Sequence, residues 1–126
     1  MSQATTLEIY QRATRASLQE MASTLVRVLG RAMVAYIVSV RNPKTISRWA
    51  KGDVASVRDR YSLERLLALY QVVSFLEEYE GDNTIKLFMF GMNPGLNNRS
   101  PASEILRGNY DDVMGAAKAM VAGDYQ

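Results

Sequence analysis

Residues 41–52, Arg41-Asn42-Pro43-Lys44-Thr45-Ile46-Ser47-Arg48-Trp49-Ala50-Lys51-Gly52, decide how this chain is read. The residue before a proline avoids the helical region, so Asn42-Pro43 ends the segment that precedes it. Pro43 or Lys44 opens a short helix that runs through Trp49 and closes at Gly52. On that helix Lys44, Thr45, Arg48 and Lys51 share much of one face, while Ile46, Trp49 and Ala50 fall on the other. Trp49 reads as the packing anchor. Residues 31–40 form a second short helix, largely apolar. Two short helices joined by the turn Arg41-Asn42-Pro43 are the pattern of a helix-turn-helix. In a DNA-reading helix one face anchors and the other offers cations and hydroxyls to phosphates and base edges. The expected nucleic-acid contacts are therefore Arg41, Asn42, Lys44, Thr45, Ser47, Arg48 and Lys51. An αα-corner with a solvated basic face fits the same residues, and both readings stand at this point.

On the N-terminal side, Thr5-Thr6-Leu7-Glu8 has the spacing of a capping box. Leu7, Tyr10, Leu18, Met21, Leu25 and Val28 then draw one apolar stripe along a helix that stops at Gly30. A break near Ser23-Thr24 is expected if Ser23 caps a second helix. The stripe reads as core packing, with a dimer seam as the lesser alternative. On the C-terminal side a long amphipathic helix covers 62–79, with Leu63, Leu66, Leu67, Tyr70, Val73 and Leu76 on one side. Gly81-Asp82-Asn83 reads as a turn. Residues 85–92 are very apolar and read as a buried helix. Asn93-Pro94-Gly95-Leu96-Asn97-Asn98 is a loop of turn formers. Ser100-Pro101 caps and opens the next helix. After Gly108-Asn109 a last helix covers 111–122 and stops at Gly123.

Composition narrows the chemistry. The chain has 126 residues, a formal net charge of +2, and neither Cys nor His. This excludes disulfides, thiolate or imidazole catalysis, Cys- or His-bound metals and a Ser-His-Asp triad. No cofactor or metal is expected, and an enzyme is the weakest reading. No stretch reaches the roughly 20 apolar residues of a membrane span. No secretory signal is visible at the start, so a cytoplasmic protein is expected. The small net charge hides an asymmetry. Residues 21–76 carry nine basic side chains against three acidic, and residues 77–126 carry four against eight. A middle that attracts phosphate and an end that repels it imply two surfaces with different partners. The acidic run Glu77-Glu78-Tyr79-Glu80-Gly81-Asp82 lacks calcium-loop spacing and reads as a solvated helix end.

Two separated segments make the reading more specific. Thr45 to Gly52 is followed, beyond a long apolar helix, by Phe90-Gly91-Met92-Asn93-Pro94-Gly95-Leu96-Asn97-Asn98-Arg99-Ser100-Pro101 and by Glu104-Ile105-Leu106-Arg107-Gly108-Asn109-Tyr110-Asp111-Asp112-Val113. In order and spacing this resembles the Xre/MbcA/ParS family of antitoxins, matching its pattern at Asn93, Pro94, Leu96, Arg99, Pro101, Leu106, Gly108 and Val113. The first 22 residues form a longer lead than in shorter members of that family. The resemblance implies an all-α chain: a helical lead over 1–24, an Xre-like helix-turn-helix over 25–58 and a small helical toxin-binding domain over 59–126. It implies a RES-domain toxin, which depletes NAD, as partner, and operator DNA at the chain's own promoter. It also implies that the C-terminal part plugs the toxin's NAD pocket. Asn93, Pro94, Leu96, Pro101, Leu106, Gly108 and Val113 are expected to shape the fold. Arg99, Ser100, Gly123, Asp124, Tyr125 and Gln126 are expected to meet the toxin. A homodimer, or a hetero-oligomer with the toxin, is expected. The alternatives are a stand-alone or phage-encoded DNA-binding regulator, or an oligomeric interaction protein, that kept this fold without a toxin.

Overall fold

The computed structural model describes residues 6–53 and 59–123, with side chains from Leu18 onward. The architecture is all-α, and the described residues form seven α-helices and one 3₁₀ turn. In chain order these are α1 (Thr6–Leu29), α2 (Arg31–Val38), α3 (Pro43–Ala50), α4 (Arg60–Glu77), α5 (Asp82–Phe90), the turn Pro94–Leu96, α6 (Pro101–Leu106) and α7 (Tyr110–Ala122). The capping box at Thr5 and Glu8, the side chains of Leu7 and Tyr10, and Asp124, Tyr125 and Gln126 lie outside what is described.

α1 does not break at Ser23. It runs unbroken to Leu29, and Ser23 instead donates its hydroxyl to the carbonyl of Ala50 at 2.9 Å. A hydroxyl in mid-helix is free to bond a neighbouring element, and here it fastens α1 to the end of α3. Leu18, Met21, Leu25 and Val28 of the expected stripe are buried, joined by Ala22 and Leu29. Gly30, at φ 83°, then turns the chain by 117° into α2.

Three helices end in the same way. Past the ends of α2, α3 and α6 one amide reaches back five residues, and the one before it reaches back three. The pairs are Val40 to Ala35 with Ser39 to Tyr36, Asp53 to Arg48 with Gly52 to Trp49, and Asn109 to Glu104 with Gly108 to Ile105. This is the Schellman pattern, which needs a left-handed residue at the penultimate position. Gly52 and Gly108 supply it without cost, at φ 98° and 84°. Ser39 supplies it at φ 63°, and its sequence gives no such signal. For that reason α2 stops at Val38, two residues earlier than its apolar pattern predicts.

α4 opens at Arg60 because Asp59 caps it, accepting from the Tyr61 amide at 2.9 Å and from the Ser62 hydroxyl at 3.0 Å. Leu66, Leu69, Val72, Val73 and Leu76 face the core. Leu67, expected on that side, is exposed. One cluster of buried apolar side chains runs from Leu18 in α1 to Ala117 in α7, so every α-helix shares a single core. α1 packs against α2, α3, α4 and α5, while α6 packs on α2, α4 and α5 and α7 on α4 and α6. Among the described residues no single helix is long and apolar enough to cross a membrane.

Candidate functional site: a basic helix pair and a C-terminal contact surface

The α2–α3 pair has the polarity that its sequence predicts. Ile46 and Trp49 are buried against the core, while Arg41, Lys44, Arg48 and Lys51 are exposed. Asn42 starts α3, its side chain accepting from the Lys44 amide at 3.0 Å. Pro43 follows in the first turn, where its missing N–H costs nothing. Arg31, from the start of α2, donates to the Ser47 hydroxyl at 3.4 Å and adds a further guanidinium to this face. Among the described residues no ion pair engages Arg31, Arg41, Lys44, Arg48 or Lys51. Five cations without a counter-ion among the described residues concentrate positive potential on this part of the surface.

The C-terminal part is built differently. Asn93 closes a tight loop with its side chain and its backbone. Its side chain accepts from the Gly95 amide at 2.9 Å, its carbonyl accepts from Leu96 and Asn98, and its own amide donates to the Arg99 carbonyl. Asn97 and Asn98 sit in the left-handed region, which Asn tolerates better than most residues. Ser100 then caps α6, accepting from the Ser103 amide at 3.1 Å. The first carboxylate of α6, Glu104, is only 4% exposed. It accepts from the Asn109 side chain at 2.6 Å and lies 3.7 Å from Arg99 and 3.9 Å from Arg107. Behind it Arg65 of α4 donates to the Leu106 carbonyl at 3.4 Å, near the carbonyl end of α6.

Residues 85–92 are not buried throughout. Ile85 and Met89 face the core, but Leu87 is 75% exposed, Met92 81% and Phe90 36%. Asn83, Lys86, Leu87 and Phe90 follow the three–four spacing of one helix face and, with Gly91, line an open hollow of about 610 Å³. Asp82 and Asn83, expected in a turn, already belong to α5. Surface apolar residues that gather on one face in this way mark interaction sites.

Among the described residues, the surroundings shift Asp59, Arg27 and Tyr110. The Tyr61 amide and then the Ser62 hydroxyl hold the Asp59 carboxyl below its ordinary range. The Glu77 carboxylate, 2.8 Å away, raises Arg27 and ties α1 to α4. Burial, with Glu64 nearby, raises the Tyr110 phenol. Among the described residues no three carboxylates gather to hold a metal ion.

The comparisons point one way. No family model matches the chain. The mycobacterial cidal antitoxin MbcA of Mycobacterium bovis and that of two strains of Mycobacterium tuberculosis are each 32% identical to it over 82 residues, 65% of this chain and 71% of theirs. The crystal structure of the M. tuberculosis MbcT–MbcA toxin–antitoxin complex contains a chain that superposes with a TM-score of 0.72 at 30% identity, covering 86% of this chain and 97% of that one. The chain belongs to the MbcA family of antitoxins.

In this MbcA-family chain the expected site residues fall into distinct groups. Arg41, Lys44, Arg48 and Lys51 present free cations, Thr45 and Ser47 are half-buried between them, and the Asn42 side chain is engaged in its cap. Leu96, Pro101 and Val113 are buried, Leu106 is half-buried and Asn93 is 5% exposed. Pro94 is exposed in the first turn of the 3₁₀ segment. Arg99 is half-exposed beside Glu104, Ser100 is occupied as a cap, and Gly123 ends α7 in the left-handed region. Sequence reasoning missed Arg31, Glu104, Arg107 and the outer face of α5. The spacing of Asn83, Lys86, Leu87 and Phe90 carries a signal for that face, whereas the sequence carries none for the burial of Glu104.

Proposed function

We propose that this chain is the antitoxin of a toxin–antitoxin pair. It binds a RES-domain, NAD-depleting toxin through its C-terminal part and blocks it, and it represses its own promoter through an Xre-like helix-turn-helix. The observation that carries the toxin reading is the match to MbcA along 97% of a chain crystallised with its toxin. The exposed apolar face of α5 supports it, because such a face on the C-terminal part fits a protein partner better than a nucleic acid. In this reading residues 1–24 are the helical lead, 25–58 the DNA-binding region and 59–126 the toxin-binding region. Arg99 and Ser100 line the contact. Gly123, Asp124, Tyr125 and Gln126 supply the plug, in which a Tyr offers both an aromatic face and a hydrogen-bonding hydroxyl to a nucleotide pocket.

The basic face of α2 and α3 supports the promoter reading, since unpaired cations there stand ready for phosphates. Arg41, Lys44, Arg48 and Lys51 make the electrostatic contacts, and Thr45, Ser47 and Asn42 add polar ones. Repressors of this kind act on two-fold sites as dimers, so a homodimer, or its complex with toxin, occupies the operator.

The test is co-expression in a bacterial host of this chain with a RES-domain toxin encoded beside it, following growth and cellular NAD. Restored growth with NAD maintained supports the reading. Undiminished NAD loss with the chain present in excess overturns it.

A further inference from the structure

We propose that Arg99 and Arg107, both seated on the buried Glu104, form a fork that binds a carboxylate of a partner protein. The proposal rests on the toxin-binding reading only for the source of that carboxylate.

The fork begins with a carboxylate where solvent does not reach. The Glu104 side chain is 5% exposed, and its Oε2 is satisfied by Asn109 at 2.6 Å. Its Oε1 is buried without a hydrogen-bond partner and faces Arg99 Nη1 at 3.7 Å and Arg107 Nε at 3.9 Å. Both separations are ion-pair distances beyond hydrogen-bond reach, so Glu104 holds the two guanidiniums by charge and leaves their donors uncommitted to it. Both heads reach solvent, with the side chains 47% and 56% exposed.

The charge count then decides what the fork accepts. Two guanidiniums over one carboxylate leave one positive charge, and Arg65 lies behind α6 with a buried Nε that has no hydrogen-bond partner. This excess sits in the half of the chain where eight acidic side chains outnumber four basic ones. Such surroundings repel a phosphate dianion more than a single carboxylate. Guanidiniums bind a carboxylate through two parallel N–H donors, a planar match that ammonium groups lack.

The backbone that carries the fork is fixed before any ligand arrives. Arg99 leaves the closed Asn93 loop, Ser100 starts α6, and the Schellman turn at Gly108 and Asn109 holds the far side. A fork on a backbone already held in shape pays less ordering entropy on binding. A buried ion pair is weak grounds for stability alone, because desolvation offsets most of its attraction. Covering this cluster with a partner lowers the local dielectric and strengthens every pair in it. α5, with its exposed Leu87 and Phe90, packs on α6, so the fork and the apolar face belong to one side-by-side pair of helices.

Two measurements test the fork. In the first, the arginine Nε–H resonances of the full chain are followed by NMR as sodium acetate replaces sodium chloride at constant ionic strength. The signals of Arg99 and Arg107 should move together and saturate, while Arg48 and Arg60 drift linearly. Arg99→Lys, which keeps the charge but not the fork, should weaken the Arg107 response about tenfold. Linear drift at all four arginines overturns the proposal. In the second, affinity for the purified RES-domain toxin is measured for Arg99→Ala, Arg107→Ala and the double variant. Each single change should cost about tenfold, and the pair less than the product, because one carboxylate serves both. Unchanged or strictly multiplicative losses overturn the fork. A wild-type chain that ignores the toxin, yet binds acetate at Arg99 and Arg107, overturns the toxin reading and leaves the fork standing.

Discussion

The α2–α3 face and the α5–α6 face handle charge in opposite ways. On the first, cations stand exposed and, among the described residues, unpaired, while Ile46 and Trp49, the large apolar side chains of α3, are buried, and Met33 and Tyr36 of α2 stay partly in solvent. On the second, the cations lean on an internal carboxylate, and large apolar side chains stand in solvent. A surface of unpaired cations gains most from a polyanion, whose released counterions drive binding and whose affinity falls steeply with salt. A surface of exposed Leu, Phe and Met with one net charge gains most from a partner that brings its own apolar area and a single carboxylate. One small core thus carries two faces that compete for different classes of ligand.

The contrast is open to attack at several points. The largest effect is expected at the anchor under the basic face. Trp49 is 2% exposed, so Trp49→Ala should cost about 3–5 kcal/mol of stability, read by urea denaturation. A loss under about 1 kcal/mol would mean that α3 is not held by its apolar side. Next, Arg48→Glu should lower operator affinity by about tenfold or more while toxin affinity is unchanged. Equal losses for both ligands would merge the two faces into one. The mirror experiment is Leu87→Ser. Toxin affinity should drop by about tenfold, DNA affinity should hold, and stability should stay within about 0.5 kcal/mol, because the side chain is already in water.

The smallest expected effect is on the acid side of the stability curve. The folded Asp59 carboxyl lies below its unfolded value, so its capping contribution is complete above the ordinary carboxylate range and fades as pH falls through the lowered folded value. Asp59→Asn keeps a capping oxygen and removes the titration. Its acid unfolding should therefore be less steep in that range, as followed by circular dichroism.

Much of the fold is legible because it rests on local rules. Pro43 and Pro101 mark helix starts, Gly30, Gly52 and Gly108 mark ends, and three-four spacing finds the stripes of α1 and α4. The misses at Ser23 and at residues 85–92 share a cause, since each depends on a neighbour far along the chain, whereas the one at Ser39 is local. Ser23 reads as a cap because its partner, Ala50, lies 27 residues away. Residues 85–92 read as buried because composition does not say which face meets the core. Ser39 takes a left-handed conformation that its side chain does not announce. The exposed cations of the α2–α3 pair were legible as a group, since a helix with one cationic face declares itself in periodicity. The Glu104 cluster was not, because burial of a carboxylate follows from packing between α4, α6 and the Asn93 loop.

α1 touches α3, α4 and α5, and the hydroxyl of Ser23 fastens it to the end of α3, where the side chain of Gln19 lies close to Gly52. Neither half of the molecule therefore owns a complete interior. A gene break between α3 and α4 would yield two fragments, each exposing the apolar face that the other covers. The basic face and the C-terminal face are thus inherited together. Recombination can exchange what decorates either surface, through single substitutions, but it cannot trade one half for another while both remain folded.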